Sequence, residues 1–179
     1  MNVTLRTPRF ILRQPQVGDA EPIARFLNDF AVSGNLARVP FPYGLSDAEE
    51  FLSWALPQQE KTRFSAICLK DDPETLRGCV SYDRLSDNNS VELGYWLAVP
   101  LWGRGLMSEA VAATTAHAFA VARVNLIAAS YFTENPASGA VLRKAGFEEI
   151  GPCKHYCLAR DIEVDAISLQ LTKEKAARS

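Results

Sequence analysis

The segment from Val91 to Ala110 holds residues whose types and spacing suit a definite chemistry. A β-type run, Val91–Val99, meets Pro100 and passes through Gly103-Arg104-Gly105 into a long Ala-rich helical pattern from about Leu106 to Ala122. The first turn of a helix leaves backbone N–H groups without partners, and the helix dipole favours negative charge there. Two glycines let a ligand approach the backbone closely, and Arg104 adds a charge-assisted donor. The chemistry implied is the holding of a phosphate or pyrophosphate.

Other phosphate loops can be tested against the letters. A nucleotide-triphosphatase loop requires Lys followed by Ser or Thr after its last glycine, where this chain has Leu106-Met107. A dinucleotide fingerprint begun at Gly103 needs glycine at position 108, which is Ser108, and no acidic residue stands on a suitable second strand. A tight strand-to-helix connection that binds nothing remains the plain alternative. The four cysteines are sparse, and Cys68 and Cys79 sit in apolar β-type runs, so reduced thiols are expected. Cys153-Lys154-His155-Tyr156-Cys157 lacks a second ligand pair at zinc-site spacing, and no metal is expected.

The elements that position the glycine turn follow from periodicity. Arg9–Arg13 alternates as a first strand, and Asp19 can cap a helix to about Asn28. Asn28–Tyr43 is an irregular loop rich in aromatics (Phe30, Phe41, Tyr43), which either wall a pocket or pin the loop to the core. Ser46 and Glu49 form a capping-box pattern for a helix to about Gln59. Arg63–Leu69, Arg77–Tyr82 and Val91–Val99 read as a three-strand meander, with polar turns at 70–74 and 86–90. Asn125–Phe132 is a further strand. Asn135-Pro136 opens a short helix closed by Gly146, and strands at about Glu149–Leu158 and Glu163–Leu171 follow. This order is an α+β, or mixed α/β, sheet with one strand–helix–strand crossover near its middle. Residues 1–172 make a single domain, and 173–179 a polar, frayed tail.

At 179 residues, 47% hydrophobic and 22% charged, the chain has the length and composition of one ordinary domain and buries roughly 70% of its unfolded surface. Nineteen Lys and Arg against twenty-one Asp and Glu leave a net charge of −2, so no global positive field gathers nucleic acid. No apolar stretch reaches the ~20 residues of a membrane span, and Arg6 and Arg9 interrupt any signal-peptide pattern. A cytoplasmic protein with neither nucleic-acid nor membrane partners is expected.

Trp102-Gly103-Arg104-Gly105-Leu106-Met107 resembles the Gln/Arg-x-x-Gly-x-Gly/Ala pyrophosphate loop of the GNAT acetyltransferase superfamily, and its flanks resemble the RimJ/RimL-type branch. Leu5–Arg13 is similar to that branch's opening strand, and Val39–Leu52 to its Pro-aromatic-Pro-Tyr segment. Asn135 and Ser138 through Lys144, Gly146 and Phe147 resemble its second cofactor motif, and Asp165 in the last strand also fits. The resemblance thus covers nearly the whole chain. Trp102 stands where the wider superfamily has Gln or Arg, and Met107 where it has Gly or Ala. Leu142 occupies the position at which many members place the tyrosine that protonates the departing thiolate.

The resemblance implies a central, largely antiparallel, twisted sheet of about six or seven strands with about four flanking helices, and acetyl-CoA in a V-shaped gap between the splayed strands Val91–Val99 and Asn125–Phe132. Backbone groups around Leu97 and Val99 would pair with the pantetheine arm. Amides of Trp102, Gly103, Arg104, Gly105, Leu106, Met107 and Ser108 would take the pyrophosphate, while Asn135 and Ser138 reach the arm. An ammonium must lose a proton before it attacks a thioester. Glu92, after apolar Val91, stands where some members carry a strand general base, since apolar surroundings make a carboxylate a usable base; the competing reading is a surface or ion-paired carboxylate. Ser138 is the hydroxyl that could protonate the thiolate, or it only hydrogen-bonds the arm. Glu109, His117 and Lys144 are read as structural, and His155 as a partly buried polar strand residue, with an approach to the acceptor entrance as the competing reading.

The function implied is direct acetyl transfer from acetyl-CoA to a primary amine, either a protein N-terminus or a small molecule, with no acyl-cysteine step, no metal and room for a homodimer. A non-catalytic acyl-CoA-binding module is the alternative, kept open by Leu142; a general protein-interaction domain would need the glycine turn to bind nothing.

Overall fold

The computed structural model describes residues 4–58 and 62–177. Eight strands form one sheet in the order β1-β2-β3-β4-β5-β6-β8-β7. They are β1 (Leu5–Arg6), β2 (Phe10–Arg13), β3 (Thr62–Leu69), β4 (Asp72–Arg84), β5 (Ser90–Leu97), β6 (Leu126–Phe132), β7 (Glu148–Cys157) and β8 (Ile162–Thr172). All neighbours pair antiparallel except β5 and β6, which are parallel and are joined through a helical crossover. The mixed α+β sheet expected from the sequence is therefore present, with the extra strand supplied by Leu5–Arg6.

The helices are α1 (Ala20–Leu27), α2 (Phe30–Ser33), α3 (Leu45–Ala55), α4 (Leu106–His117), α5 (Pro136–Lys144) and α6 (Lys173–Ala176). One face of the sheet is covered by α4 and α5 over a core that includes Phe10, Leu12, Val80, Val91, Leu93, Val111, Ile127 and Leu142. The other is covered by α1 and α3 over Ile23, Leu27, Leu52, Ala66, Cys68 and Leu76. Burying each of the larger side chains contributes about 1.5–3 kcal/mol. Ala110 on α4 is fully buried, so its small side chain lets the helix lie close to the strands.

Several local details differ from the sequence reading for identifiable reasons. Asp19 precedes α1 but does not cap it; its carboxylate takes a two-pronged ion pair from Arg13 at 2.7 and 2.8 Å, plus the Gln16 N–H. Helix α3 starts two residues earlier than the Ser46 pattern implies, with Gly44 at the cap position and the Asp47 carboxylate accepting the Gly44 N–H at 2.7 Å. Its expected end near Gln59 lies outside the described residues. The α4 pattern runs on from Leu106, but beyond His117 it loosens into a π-helical turn over Ala118–Ala122. Lys173–Ala176 is a helical turn capped by Thr172 rather than a fully frayed tail. Among the described residues, no helix is long and apolar enough to cross a membrane.

Candidate active site

The crossover from β5 through α4 to β6 creates the gap. The two strands pair only at Ser90–Leu126, Val91–Ile127 and Glu92–Ala128, then part; β5 continues on β4 to Leu97, and β6 on β8 to Phe132. In the β4–β5 ladder, Ala98 donates to the Arg77 carbonyl at 2.8 Å. By antiparallel alternation, Glu92, Gly94 and Trp96 therefore bond to β4, while the backbone groups of Leu93, Tyr95 and Leu97 turn toward the side that β6 has left. A strand edge buried without a partner is a template for an extended ligand. The Leu97 carbonyl is already engaged, since the Trp102 indole N–H donates to it at 2.7 Å. Val99 lies in a 3-10 turn whose carbonyl accepts the Trp102 N–H, so neither carbonyl is open in the way the sequence reading expected.

Beyond this edge the chain turns into α4. Gly103 and Gly105 both adopt left-handed conformations, with φ of 72° and 69°, which residues bearing a Cβ adopt only at a cost. Gly105 is the residue before the helix and has no side chain to cap it, leaving the first-turn N–H groups from Leu106 onward for a ligand. Arg9, from the segment joining β1 and β2, braces the loop. Its backbone N–H and Nε donate to the Glu109 carboxylate at 3.0 and 2.7 Å, and Nη1 donates to the Arg104 carbonyl at 2.6 Å. Burial pushes the Glu109 carboxyl up, but hydrogen bonds from Thr7 and Arg9 outweigh it, and the group sits below the usual carboxylate range. Arg9 was not singled out in the sequence because nothing in a strand-like run announces a contact one hundred residues away.

A cavity of about 600 Å³ runs from the gap across the α1/α3 face of the sheet. At its gap end lie Asn135 and Ser138 at the start of α5. The Asn135 side chain accepts the Ser138 N–H at 3.2 Å and so caps the helix. The Ser138 hydroxyl shares a 2.8 Å hydrogen bond with the Tyr95 phenol, which reaches across from β5. Burial pushes the Tyr95 phenol up to about 12 against the opposing effect of that bond, so the phenol stays protonated. Tyr95 is a site residue that the sequence reading passed over. Leu142 is fully buried in the core under α4 and α5 and faces neither gap nor cavity.

Glu92 borders the cavity at the fork where β5 and β6 separate. It does not meet an apolar wall: the Arg38 guanidinium lies 2.9 Å from its carboxylate and 3.5 Å from that of Asp83, its direct neighbour on β4. The ion-paired reading of Glu92 thus describes its surroundings. The aromatic loop contributes to the wall mainly through Leu36–Pro40 and Tyr43, whereas Phe30 and Phe41 stack edge-to-face on each other at 5.3 Å. The cavity's larger rings come instead from Phe51 and Trp54 of α3, Trp96 of β5 and Tyr131 of β6. His155 also lines it, with Nε2 3.8 Å from the Cys153 Sγ. His117 is a core residue whose Nδ1 lies 3.4 Å from the Tyr82 hydroxyl. Glu109 is structural, and Lys144 ends α5. Among the described residues, no cluster of three or more His, Cys, Asp or Glu could hold a metal, and the four thiols are free.

Comparison with known proteins agrees with this geometry. The N-acetyltransferase p20 of Bacillus licheniformis, itself called uncharacterized, is 28% identical over 177 residues, spanning 97% of this chain and 98% of that protein. The ribosomal-protein-S5-alanine acetyltransferase of Vibrio fischeri superposes with a TM-score of 0.84 at 20% identity, covering 97% of this chain and 98% of the other. Mycobacterium smegmatis RimJ, solved in complex with CoA-disulfide, gives a TM-score of 0.83 at 22% identity over 99% and 91% of the two chains. Residues 9–148 match the acetyltransferase (GNAT) domain, and the chain therefore belongs to the GNAT acetyltransferase family.

Proposed function

We propose that the protein transfers the acetyl group of acetyl-CoA directly to a primary amine held in the 600 Å³ cavity. The observation that carries this reading is the parting of β5 and β6 after the Glu92–Ala128 pair, which leaves the Leu93–Leu97 edge open beside the glycine turn before α4. An extended pantetheine arm fits that edge as an added strand, through the Leu93 and Tyr95 groups and the N–H groups of Leu97 and Val99. The backbone N–H groups of Gly103, Arg104, Gly105, Leu106, Met107 and Ser108 hold the pyrophosphate, without that of Trp102, which the Val99 carbonyl already takes, and Asn135 and Ser138 meet the arm from α5.

The bound thioester supplies an acyl carbon open to nucleophilic attack. The Leu97 N–H, aimed into the gap, stabilises negative charge developing on the acyl oxygen. Glu92 takes the proton of the acceptor ammonium, directly or through water, once Arg38 yields its place; Arg38 is three-quarters exposed and held on a loop. The amine nitrogen bonds to the acyl carbon, the carbon–sulfur bond breaks, and the Ser138 hydroxyl, positioned by Tyr95, protonates the departing thiolate while the second proton shed by the nitrogen returns to Ser138 through water.

The test is thermal melting with ~1 mM acetyl-CoA, CoA or NAD. A Kd of ~10 µM adds about 2.7 kcal/mol and raises the midpoint by roughly 5–10 °C. A shift with both CoA ligands but not NAD, followed by amine-dependent thiol release, is expected; no shift with any of the three overturns the reading.

A further inference from the structure

The acceptor cavity has a charge pattern that narrows what it takes. It is lined by four carboxylates, those of Asp47, Glu50, Asp83 and Glu92, against a single guanidinium, that of Arg38. Asp83 and Glu92 stand directly opposite each other on adjacent strands, an arrangement in which like charges repel. The fold tolerates it because Arg38 lies between them, yet this cation is three-quarters exposed and comes from a loop. One Asp83 oxygen, Oδ1, is buried and has no hydrogen-bond partner among the described residues. A buried carboxylate oxygen without a donor is costly to keep.

A second cation-seeking group lines the same cavity from α3. Glu50 on α3 has no hydrogen-bond or ion-pair partner among the described residues and precedes Trp54 by one helical turn, on the same face. The Trp54 ring is half exposed and held by edge contacts to Phe64 at 5.5 Å and a tilted contact to Phe51 at 6.4 Å. A carboxylate beside a fixed indole face is a good receptor for an ammonium group, through ion pairing and cation–π attraction together. The same cavity has apolar lining as well, from residues that include Leu36, Val39 and Phe51.

We infer that the acceptor is a linear amine carrying a second ammonium group, a diamine or polyamine. One ammonium lies at the Asp83–Glu92 pole, where Arg38 now stands in for it, and loses its proton for transfer. The alkyl stem crosses the apolar lining, and the second ammonium is held by Glu50 and Trp54. This inference rests on the acetyl-transfer reading above, and it selects a small dication over a protein N-terminus of otherwise neutral sequence, which brings one positive charge and leaves the Glu50 pole empty.

The experiment measures kcat/KM by thiol release with 1,6-diaminohexane, with hexylamine of the same chain length, and with a peptide of neutral N-terminal sequence, alongside the Kd for CoA. The expected result is a kcat/KM at least tenfold higher for the diamine than for hexylamine or the peptide, a preference that shrinks as salt is raised. Glu50→Gln is expected to cut that ratio at least threefold, chiefly through the KM of the diamine, and Glu50→Lys to cut it further. An unaltered CoA Kd shows that both variants remain folded. Equal kcat/KM for diamine and hexylamine, a preference for the neutral peptide, or a ratio unmoved by Glu50→Lys overturns the inference and leaves acetyl transfer standing. A protein that binds no CoA and releases no thiol with any amine overturns both.

Discussion

Adding one methyl group at Gly103 or Gly105 separates what the free protein tolerates from what a bound pyrophosphate tolerates. A Cβ built at Gly103 meets nothing within 4 Å, and one at Gly105 meets only the Arg9 Nη2 at 3.7 Å, an ordinary contact. The cost of Gly→Ala to the free protein is therefore conformational. Holding a residue with a Cβ at φ near +70° costs about 1–2 kcal/mol, partly offset by the lower entropy of the unfolded Ala chain, for a net loss of about 1 kcal/mol. For a chain of this size the melting midpoint should fall by about 2–4 °C. That strain is present with and without ligand, so it cancels in the dissociation constant. If the pyrophosphate lies against the loop backbone, the new methyl occupies its place, and the CoA Kd measured by calorimetry should rise at least tenfold, about 1.4 kcal/mol. Arg104→Ala, which leaves the backbone alone, should cost less. Variants that melt 2–4 °C lower yet bind CoA with unchanged affinity would show that the loop is a structural connection and refute the argument.

Three further outcomes are expected. Tyr95→Phe removes the phenol that positions Ser138 and should lower kcat several-fold with little change in CoA Kd; an unchanged kcat in stopped-flow thiol release would free Ser138 from dependence on Tyr95. Asp19→Asn leaves the mostly buried Arg13 guanidinium without its two-pronged partner and should cost about 3–5 kcal/mol in urea unfolding, a loss under 1 kcal/mol counting against the pair's role in joining β2 to α1. His117 is held below its ordinary pKa by burial, with the Arg63 charge acting in the same direction, so on acidification the unfolded state takes up its proton before the folded state does. The stability lost through this group therefore begins as pH falls through the unfolded histidine range near ~6.5. His117→Gln should flatten the stability difference between pH 7.5 and 5.5, and an identical pH slope in wild type and variant would contradict the assignment.

Much of this architecture was written locally. The alternation of β3, β5, β6 and β8 and the Asn135-Pro136 helix start are properties of short stretches, so periodicity and capping chemistry report them without knowledge of the fold. Gly103 and Gly105 are likewise legible, because a left-handed backbone at a strand-to-helix turn selects glycine whatever surrounds it. Local signals failed where a side chain had two competing uses. Asp19 has the type and place of a helix cap, but a buried guanidinium is a stronger claimant than one backbone N–H, and only the pairing of β2 with β3 next to α1 brings Arg13 there as a buried partner.

The sequence by itself determined the strand–turn–helix unit, the overall order of elements and the likeness to an acyltransferase family, because each is carried by residues near one another in the chain. Tertiary structure alone decided the surroundings of the reacting groups. Arg9 meets Glu109 across one hundred residues, Tyr95 meets Ser138 across forty-three, and Arg38 meets Glu92 across fifty-four. These contacts depend on where β5 and β6 part and on which loop folds over the opening. Such distances are set by the packing of both sheet faces, and a pattern of neighbouring letters has no means to encode them separately.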